Sequence, residues 1–503
     1  MLTIRTQGNR AQIIGNVPDA LSKDLEARFQ WQSLVDMNDF ISFYNPEGHI
    51  IYSGIIHDVK GFIEDRGIPC EIEFQAPSSE RYNWEMKRPP RPLHLDAVNA
   101  LIHARYGILR SPPGTGKTDM SARAFCTVGL PGSFMVVPNN RPGLQAYRTL
   151  CDWTTIEDVG LWNGTTKKLA KNGVTVITIQ SLYAQLINNP DGEVIRAWKK
   201  APMVIVDEAH HGASDTHLKV FELLHSVRYF FGMSATPWRD DDRHDVLDML
   251  LGSIVHEITR AQAIDNKLSV PITVFVEDIT PKEYGFVVKE TYLDPLTKEE
   301  RVRFVNKAQH QRYKKGPSPL DQVTQDYIVN NVERNTRALD FCRQAIQEGL
   351  SCCISVRRLN HIKNLQLLEP RVMSLHANTK DRDVIFDEMV AKKHMLVAST
   401  LMDEAVDVSS LSCVAMLAGG ASTVKLEQRI RCDRTFNGMT VHGHFAKDRG
   451  YVWIPRDHAD FLTSQSTKCL KILKSICDEH EEHEFILNGN LIKRGRQVPK
   501  YIR

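Results

Sequence analysis

Little in this sequence repeats, and several whole classes of protein drop out for that reason. The ten cysteines are scattered, Cys352-Cys353 is the only close pair, and no Cys-x-x-Cys occurs. That spacing excludes a zinc ribbon and fits reduced thiols in a cytosol. No apolar run approaches the ~18 residues of a membrane span. The N-terminus, MLTIRTQGNR, lacks the apolar core of a signal peptide. A cytoplasmic protein without membrane contact is therefore expected. No low-complexity tract or fixed-period repeat is present, which excludes solenoids and biased linkers. Charge of one sign is not in excess: 63 Lys and Arg face 61 Asp and Glu, a net +2. The chain is no polycation, so a nucleic-acid surface has to be local.

What is present is ordinary in bulk and specific in detail. At 503 residues the chain exceeds one core and suggests about three domains. Residues 1–80 read as a small α+β unit, an accessory or DNA-binding domain. It has strands at Leu2–Arg5 and Gln12–Ile14, and a helix over Pro18–Phe29. A hairpin is expected around Asn45-Pro46-Glu47-Gly48, then a second helix at Val59–Asp65 and a strand at Glu71–Phe74. A polar, Pro-rich stretch, Ala76–Pro92, links this unit to a longer α/β region. Over residues 81–270 apolar strands alternate with helical patterns, the rhythm of a parallel sheet with crossover helices. The expected strands are Gly107–Leu109, Phe134–Val137, Val174–Ile179, Met203–Val206 and Tyr229–Met233. A second such run covers 335–455, with strands at Ser351–Val356, Val372–Leu375, Met395–Ala398, Cys413–Leu417 and Tyr451–Ile454. Between them, 271–334 reads as a linker with a hairpin, Phe286–Phe304, and a basic patch over 307–315. Residues 456–503 read as a helical extension with a basic end.

The segment Ser111-Pro112-Pro113-Gly114-Thr115-Gly116-Lys117-Thr118 follows an apolar strand and precedes a helix expected to start near Ser121. That context suits a phosphate-binding loop rather than a chance Gly-rich turn. Gly114 and Gly116 let backbone N–H groups turn toward phosphate oxygens, and the helix N-terminus adds partial positive charge. Lys117 can reach the β- and γ-phosphates of a nucleotide, and Thr118 can hold Mg²⁺. Downstream, Met203–Val206 is an apolar strand ending in Asp207-Glu208-Ala209-His210. An acid at a strand end suits Mg²⁺ held through water, the role given to Asp207. Glu208 is then placed to deprotonate an attacking water.

These segments, with Gly232-Met233-Ser234-Ala235-Thr236-Pro237, resemble the superfamily 2 helicases in order and spacing. The resemblance extends over Val137-Pro138-Asn139-Asn140, Thr178-Ile179-Gln180-Ser181, Ser374-Leu375-His376-Ala377 with Arg382, Leu396–Thr400 with Asp403–Asp407, and Gln428–Arg434. It covers about residues 90–455. Within the superfamily the chain looks most like the phage UvsW, XPB- and RecG-like DNA helicases. The resemblance implies two tandem RecA-like α/β domains, ATP and Mg²⁺ as cofactors, and hydrolysis that needs an arginine pair from the second lobe. Arg431 and Arg434, three residues apart on one helix face, take that part. It also implies nucleotide contacts for Pro113, Thr115, Arg91, His94 and Asp407. Pro138, Asn139, Thr178, Gln180, His376 and Thr400 become nucleic-acid contacts, and Ser234 and Thr236 couple the two sites.

The departures are local. His94 stands where many relatives have an adenine-reading Gln. Ser111 replaces the small residue that leads the loop, Ala405 replaces a Gly, and the Gln428–Arg434 segment lacks its usual Gly. The substrate the resemblance implies is branched DNA (forks, R-loops, recombination junctions), with movement 3′ to 5′. A monomer is expected, with recombination or replication proteins as candidate partners. The patch containing Lys307, Arg312, Lys314 and Lys315 is either a duplex contact or a solvated linker. An RNA helicase, and a degenerate ATPase acting as a DNA-binding scaffold, are the alternative readings.

Overall fold

The computed structural model describes residues 1–32, 40–75, 80–211, 214–235, 244–279, 287–293, 300–306, 324–380, 384–385, 388, 395–400, 411–418, 426, 430, 432, 448–457 and 460–494. The chain divides into two compact units, Met1–Ala263 and Ile264–Arg503.

The first unit begins with β1 (Leu2–Gln7), β2 (Arg10–Ile14), α1 (Asp19–Arg28), β3 (Gln30–Gln32), β4 (Phe40–Ser42), β5 (Tyr44–Asn45), β6 (Ile50–Tyr52), α2 (Ile56–Glu64) and β7 (Cys70–Glu73). Five of these strands form one sheet in the order β5-β6-β2-β1-β7, while β3 and β4 pair separately. The β5–β6 hairpin closes where its turn residues predict, with Glu47 N donating to Asn45 Oδ1 at 2.9 Å. The described part of 1–80 does not keep a core to itself. Ile4, Leu25, Ile56 and Val59 share one apolar cluster with Phe221, Leu224, Leu247 and Leu250. The join is also hydrogen-bonded. Asn9 donates through N to Leu224 O and through Nδ2 to Phe221 O, both at 2.9 Å, and Tyr106 Oη donates to Gly8 O at 3.1 Å. At Gly8, φ is +64° and a Cβ would come within 2.4 Å of the His225 carbonyl, so a side chain there would wedge the two parts apart.

A larger sheet comes next. Its elements are α3 (His94–Ala104), β8 (Tyr106–Arg110), α4 (Lys117–Val128), β9 (Ser133–Val137), α5 (Asn140–Trp153), β10 (Val159–Trp162), β11 (Lys167–Lys168), β12 (Val174–Thr178), α6 (Ile179–Asn188), α7 (Glu193–Lys199), β13 (Met203–Asp207), α8 (Asp215–Phe221), β14 (Tyr229–Ser234), α9 (His244–Leu251), β15 (Ile254–Glu257) and α10 (Arg260–Asp265). The order is β11-β10-β12-β9-β13-β14-β8-β15, parallel except for the β10–β11 hairpin. β9 and β12 are buried along their whole length, as a parallel sheet covered on both faces requires. Helix α4 starts at Lys117, four residues before the Ser121 expected from sequence. Gly116, in left-handed conformation at φ +94°, caps it directly, so the glycine turn and the helix N-terminus are one structure.

The second unit contains β16 (Ile272–Ile279), β17 (Val287–Leu293), β18 (Glu300–Asn306), α11 (Val332–Gln347), β19 (Ser351–Ser355), α12 (Leu359–Leu368), β20 (Met373–Leu375), β21 (Leu396–Ser399), β22 (Leu411–Met416), β23 (Gly450–Asp457), α13 (Asp460–Asp478), β24 (Glu484–Leu487) and β25 (Asn490–Arg494). Its sheet runs β20-β21-β19-β22-β23-β16-β24-β25. Alternate residues of one strand serve two cores. Cys353, Val397 and Val414 face one cluster with Val274 and Leu473, and Cys352, Ala398 and Cys413 face another with Leu339 and Ile362. The expected hairpin at Phe286–Phe304 is the antiparallel pair β17–β18.

Two sequence expectations change here. Residues 272–279, read as the start of a linker, form β16 in the middle of the sheet, because their parallel partner β23 lies far along the chain and leaves no local signal. The C-terminal stretch, read as helical, supplies only α13. Asn488 and Gly489, at φ 46° and 78°, then turn β24 into β25, and that hairpin extends the sheet.

Candidate nucleotide and strand site

Three strands of the first sheet end side by side, in the order β13-β14-β8, and each delivers functional residues to the same edge. From β8 comes the loop. Ser111 N donates to Ser234 O at 2.9 Å, tying the loop's first residue to the end of β14. The Ser111 and Thr115 hydroxyls are hydrogen-bonded, Thr115 Oγ1 donates to Pro112 O at 2.8 Å, and both side chains are fully buried. Serine at position 111 thus closes the loop through a contact that a glycine there could not make. Gly114 and Gly116 have φ of +86° and +94°. The turn therefore needs glycine twice, and at Gly116 a Cβ would also sit 2.9 Å from His94 Cε1. Lys117 Nζ reaches back toward Ser111 O at 3.4 Å. Thr118 occupies the second position of α4, and Pro113 is buried within the loop.

His94 is placed differently from the expectation that it faces a nucleotide base. It is fully buried behind the loop. Nε2 lies 2.7 Å from Thr115 O and Nδ1 lies 3.2 Å from Asp119 Oδ2. Asp119 Oδ1 is 3.1 Å from Arg123 Nε, and Arg123 Nη2 donates to Arg88 O and Pro89 O at 3.1 and 2.7 Å. Both ring nitrogens of His94 face protein oxygens, so the imidazole braces the loop. Asp119 and Arg123 escaped the sequence reading, although their i,i+4 spacing on α4 was a legible sign of a pair. Arg91 Nη1 lies 3.7 Å from the point where a Gly116 Cβ would be, which places that guanidinium beside the loop.

From β13 come the acids. Glu208 has a left-handed φ of 49°, a costly conformation for a residue with a Cβ and the kind of strain found at functional sites. Glu208 N donates to Asp207 Oδ1 at 3.0 Å. His210 Nδ1 stands 3.5 Å from Glu208 Oε2 and 3.3 Å from Ser234 Oγ, so one buried imidazole touches both the second acid and the end of β14. Burial, and then the Glu208 carboxylate, push the Asp207 carboxyl up to about 7, while the Lys117 ammonium works the other way. The sign of the consequence is fixed. Between the ordinary aspartate value of 3.8 and about 7 the fold holds a proton that the unfolded chain has released. Stability of the nucleotide-free protein should therefore fall as pH rises through that window, by at most about 1.4 kcal/mol per pH unit for one proton. Asp207→Asn should flatten this slope in thermal unfolding measured against pH; an unchanged slope would assign the proton elsewhere.

The donor set suits a Mg²⁺-nucleotide. Two left-handed glycines open the backbone N–H groups, a helix N-terminus and Lys117 supply positive charge, and a hard carboxylate sits near enough to Lys117 to feel it.

The expected strand contacts of the first unit lie on the same edge. Pro138 and Asn139 come directly after β9, and Thr178 ends β12, paired with Val137. Gln180 Nε2 donates to Pro138 O at 2.8 Å, Asn139 caps α5 through Arg141 N, and Thr178 Oγ1 donates to Ser181 Oγ at 2.9 Å. The β10–β11 hairpin, which the sequence reading passed over, adjoins them. Asn163 Oδ1 accepts from Thr165 N and Thr166 N at 2.9 and 2.7 Å, and exposed Lys167 and Lys168 come after it. Its legible signal was Asn163-Gly164. In the second unit, His376 and Thr400 directly succeed the adjacent strands β20 and β21, and Thr400 N donates to Leu375 O at 3.2 Å. Thr236, Asp407, Arg431, Arg434, Lys307, Arg312, Lys314 and Lys315 lie outside the described residues.

Comparison with known proteins agrees with this geometry. Residues 87–239 match the family described as type III restriction enzyme, res subunit. A Sulfurisphaera tokodaii protein named DNA 3'-5' translocase XPB2 is 28% identical over 217 residues, 42% of this chain and 42% of its own. The chain spans about half the length of the curated relatives it matches. Among solved structures, S. cerevisiae Dbp5 bound to RNA and ADP BeF3 aligns over 79% of this chain and 89% of its own, with TM-score 0.51 and 15% identity. The ATP-dependent Type ISP restriction-modification enzyme LlaBIII bound to DNA aligns over 86% and 34%, with TM-score 0.52 and 14% identity. At such identities the likeness is one of fold, two tandem RecA-like parallel sheets. Residues 87–239 thus resemble the res subunit of type III restriction enzymes, and the chain is similar to DNA translocases and helicases of superfamily 2.

Proposed function

We propose that this protein is an ATP-dependent DNA helicase or translocase that moves 3′ to 5′ and remodels branched DNA. The observation that carries the reading is the His210 bridge. One buried ring joins Glu208, beside the phosphate loop, to Ser234, whose carbonyl also holds the loop's first residue. In this reading a change at the nucleotide acts one contact away from β14. Of the expected strand contacts, Asn139, Thr178 and Gln180 stand at the same sheet edge.

In this reading the loop N–H groups and Lys117 bind the phosphates, and Asp207 and Thr118 hold Mg²⁺, Asp207 through water. Mg²⁺, when bound, neutralises charge on the phosphate oxygens. Glu208 takes the proton of the attacking water. Arg431 and Arg434 are the proposed arginine fingers, and Asp407 and Arg91 further nucleotide contacts. Ser234 and Thr236 couple hydrolysis to the strand path. Asn139, Thr178, Gln180, His376 and Thr400 hold the strand through its phosphates, so binding is sequence-independent and salt-sensitive. Lys167 and Lys168 join that set, since their hairpin borders β12. XPB2, the translocase named above, supports the direction of movement.

The test is the ATPase rate at fixed salt with no polynucleotide, single-stranded DNA, a branched DNA junction and single-stranded RNA, with nucleic-acid binding measured in parallel. Strongest stimulation by the junction is the expected result. Stimulation by RNA alone would replace the proposal with an RNA helicase. Binding to DNA without turnover would make the chain a scaffold.

A further inference from the structure

The edge of the first sheet opposite the phosphate loop carries positive charge that forms no ion pair among the described residues. Arg105 directly precedes β8 and Arg228 directly precedes β14. Those strands pair in parallel, with Tyr106 beside Phe230, so the two arginines leave the sheet at the same edge. Arg81, exposed, comes from the segment that leads into the sheet. Arg228 Nε and Nη1 are buried and have no hydrogen-bond partner among the described residues. Among the described residues the leading charged groups acting on Arg228 are Arg105 and Arg81, and the leading acidic ones are the phenols of Tyr229 and Tyr106 rather than a carboxylate. Burial is the main cause that holds its guanidinium below the ordinary arginine range, and the two like charges act in the same direction.

Arg105 adds an independent sign. It ends α3 with φ 65° and ψ −30°, a position that glycine takes by default. A side chain there carries backbone strain of the kind that clusters at functional sites. Its guanidinium carbon lies 4.4 Å from the Phe74 ring centroid and 5.5 Å from that of Tyr229, and Nη1 donates to Gln75 O at 3.4 Å. Two aromatic faces and one carbonyl thus fix the group, and no anion meets it among the described residues. A half-buried guanidinium with two buried nitrogens unpaired, beside like charges, is less favourable than one that meets an anion from outside. The fork of guanidinium donors matches phosphate oxygens in particular.

We propose that Arg81, Arg105 and Arg228 form an oxyanion site that binds phosphate groups of a nucleic-acid backbone, at the edge of the first sheet opposite the phosphate loop. The need for an anion stands on the unpaired guanidinium alone; the choice of a nucleic acid as its source rests on the helicase reading above. Such a site would anchor nucleic acid away from the strand contacts near Asn139 and Thr178 and would give the junction with residues 1–80 a role.

Arg228→Gln decides it, in four measurements. Without ligand the variant should melt no lower than wild type, because it loses no ion pair; a group that merely supports the fold would lower the midpoint. Pyrophosphate should raise the melting midpoint of Lys117→Ala, used to silence the nucleotide loop, and the rise should vanish in Lys117→Ala/Arg228→Gln. Binding of a forked DNA should weaken, with the slope of log K against log salt shallower by about one. Basal ATPase without nucleic acid should be unchanged. A lower midpoint with unaltered DNA affinity and salt slope overturns the proposal. A lost pyrophosphate effect with an unaltered salt slope overturns the nucleic-acid source and leaves a site for free phosphate. Should wild type bind no nucleic acid at all, the helicase reading fails, and the pyrophosphate arm still decides whether the arginines hold an anion.

Discussion

Lys117→Ala is expected to lower ATP hydrolysis by on the order of 10³-fold or more, with little change in DNA binding. The ammonium is the one side-chain cation at the start of α4, and it serves two purposes that alanine cannot. It neutralises phosphate charge, and it counters the effect that burial and Glu208 have on Asp207. Its loss should therefore weaken Mg²⁺-nucleotide affinity most from about pH 7 upward, where Asp207 is ionised in the wild type and still protonated in the variant. The strand contacts on β9, β12 and the β10–β11 hairpin do not touch Lys117 and should keep their affinity. Filter binding to single-stranded DNA beside a steady-state ATPase assay checks both halves. Turnover within a few fold of wild type would remove the loop from the mechanism.

Glu208→Gln separates binding from chemistry. Glutamine keeps the size of the side chain and a polar atom facing His210, but it cannot take a proton from water at neutral pH. A positioned general base is worth about 10²–10⁴ in rate, and a loss of that order is expected. Affinity for the Mg²⁺-nucleotide should stay level or rise, because removing the Glu208 charge lets Asp207 ionise more readily. Single-turnover hydrolysis compared with equilibrium binding of a fluorescent ATP analogue reads the two effects apart. Hydrolysis close to wild type would pass the role of base to another group.

Much of the fold was legible because a parallel sheet writes itself as short apolar runs. Phe134–Val137 and Met203–Val206 stand within a residue of their strand limits, since buried strands leave no polar position to confuse the reading. The hairpin at Asn45–Gly48 was legible from turn chemistry. By the same logic Asn488-Gly489 could have been read and was not, because the helical pattern before it was carried through to the end of the chain. β16 had no comparable signal. Its partner β23 is brought beside it only when the sheet forms, and an apolar run after Pro271 is ambiguous until then.

The sequence by itself determined the order of the chemical groups: a glycine turn before Lys117, acids at the end of an apolar strand, Ser234 at the end of another. Those come from local rules, since a phosphate cradle needs glycine and a helix start, and a carboxylate at a strand end faces the sheet's crevice. Only the tertiary structure decided which groups meet. It put His94 behind the loop on Thr115 and Asp119, made Ser111 a loop closure, set His210 between Glu208 and Ser234, and left Arg228 without an anion. The His94–Thr115 and His210–Ser234 contacts cross strands or helices separated in the chain, and even the short-range ones depend on loop conformations that packing fixes.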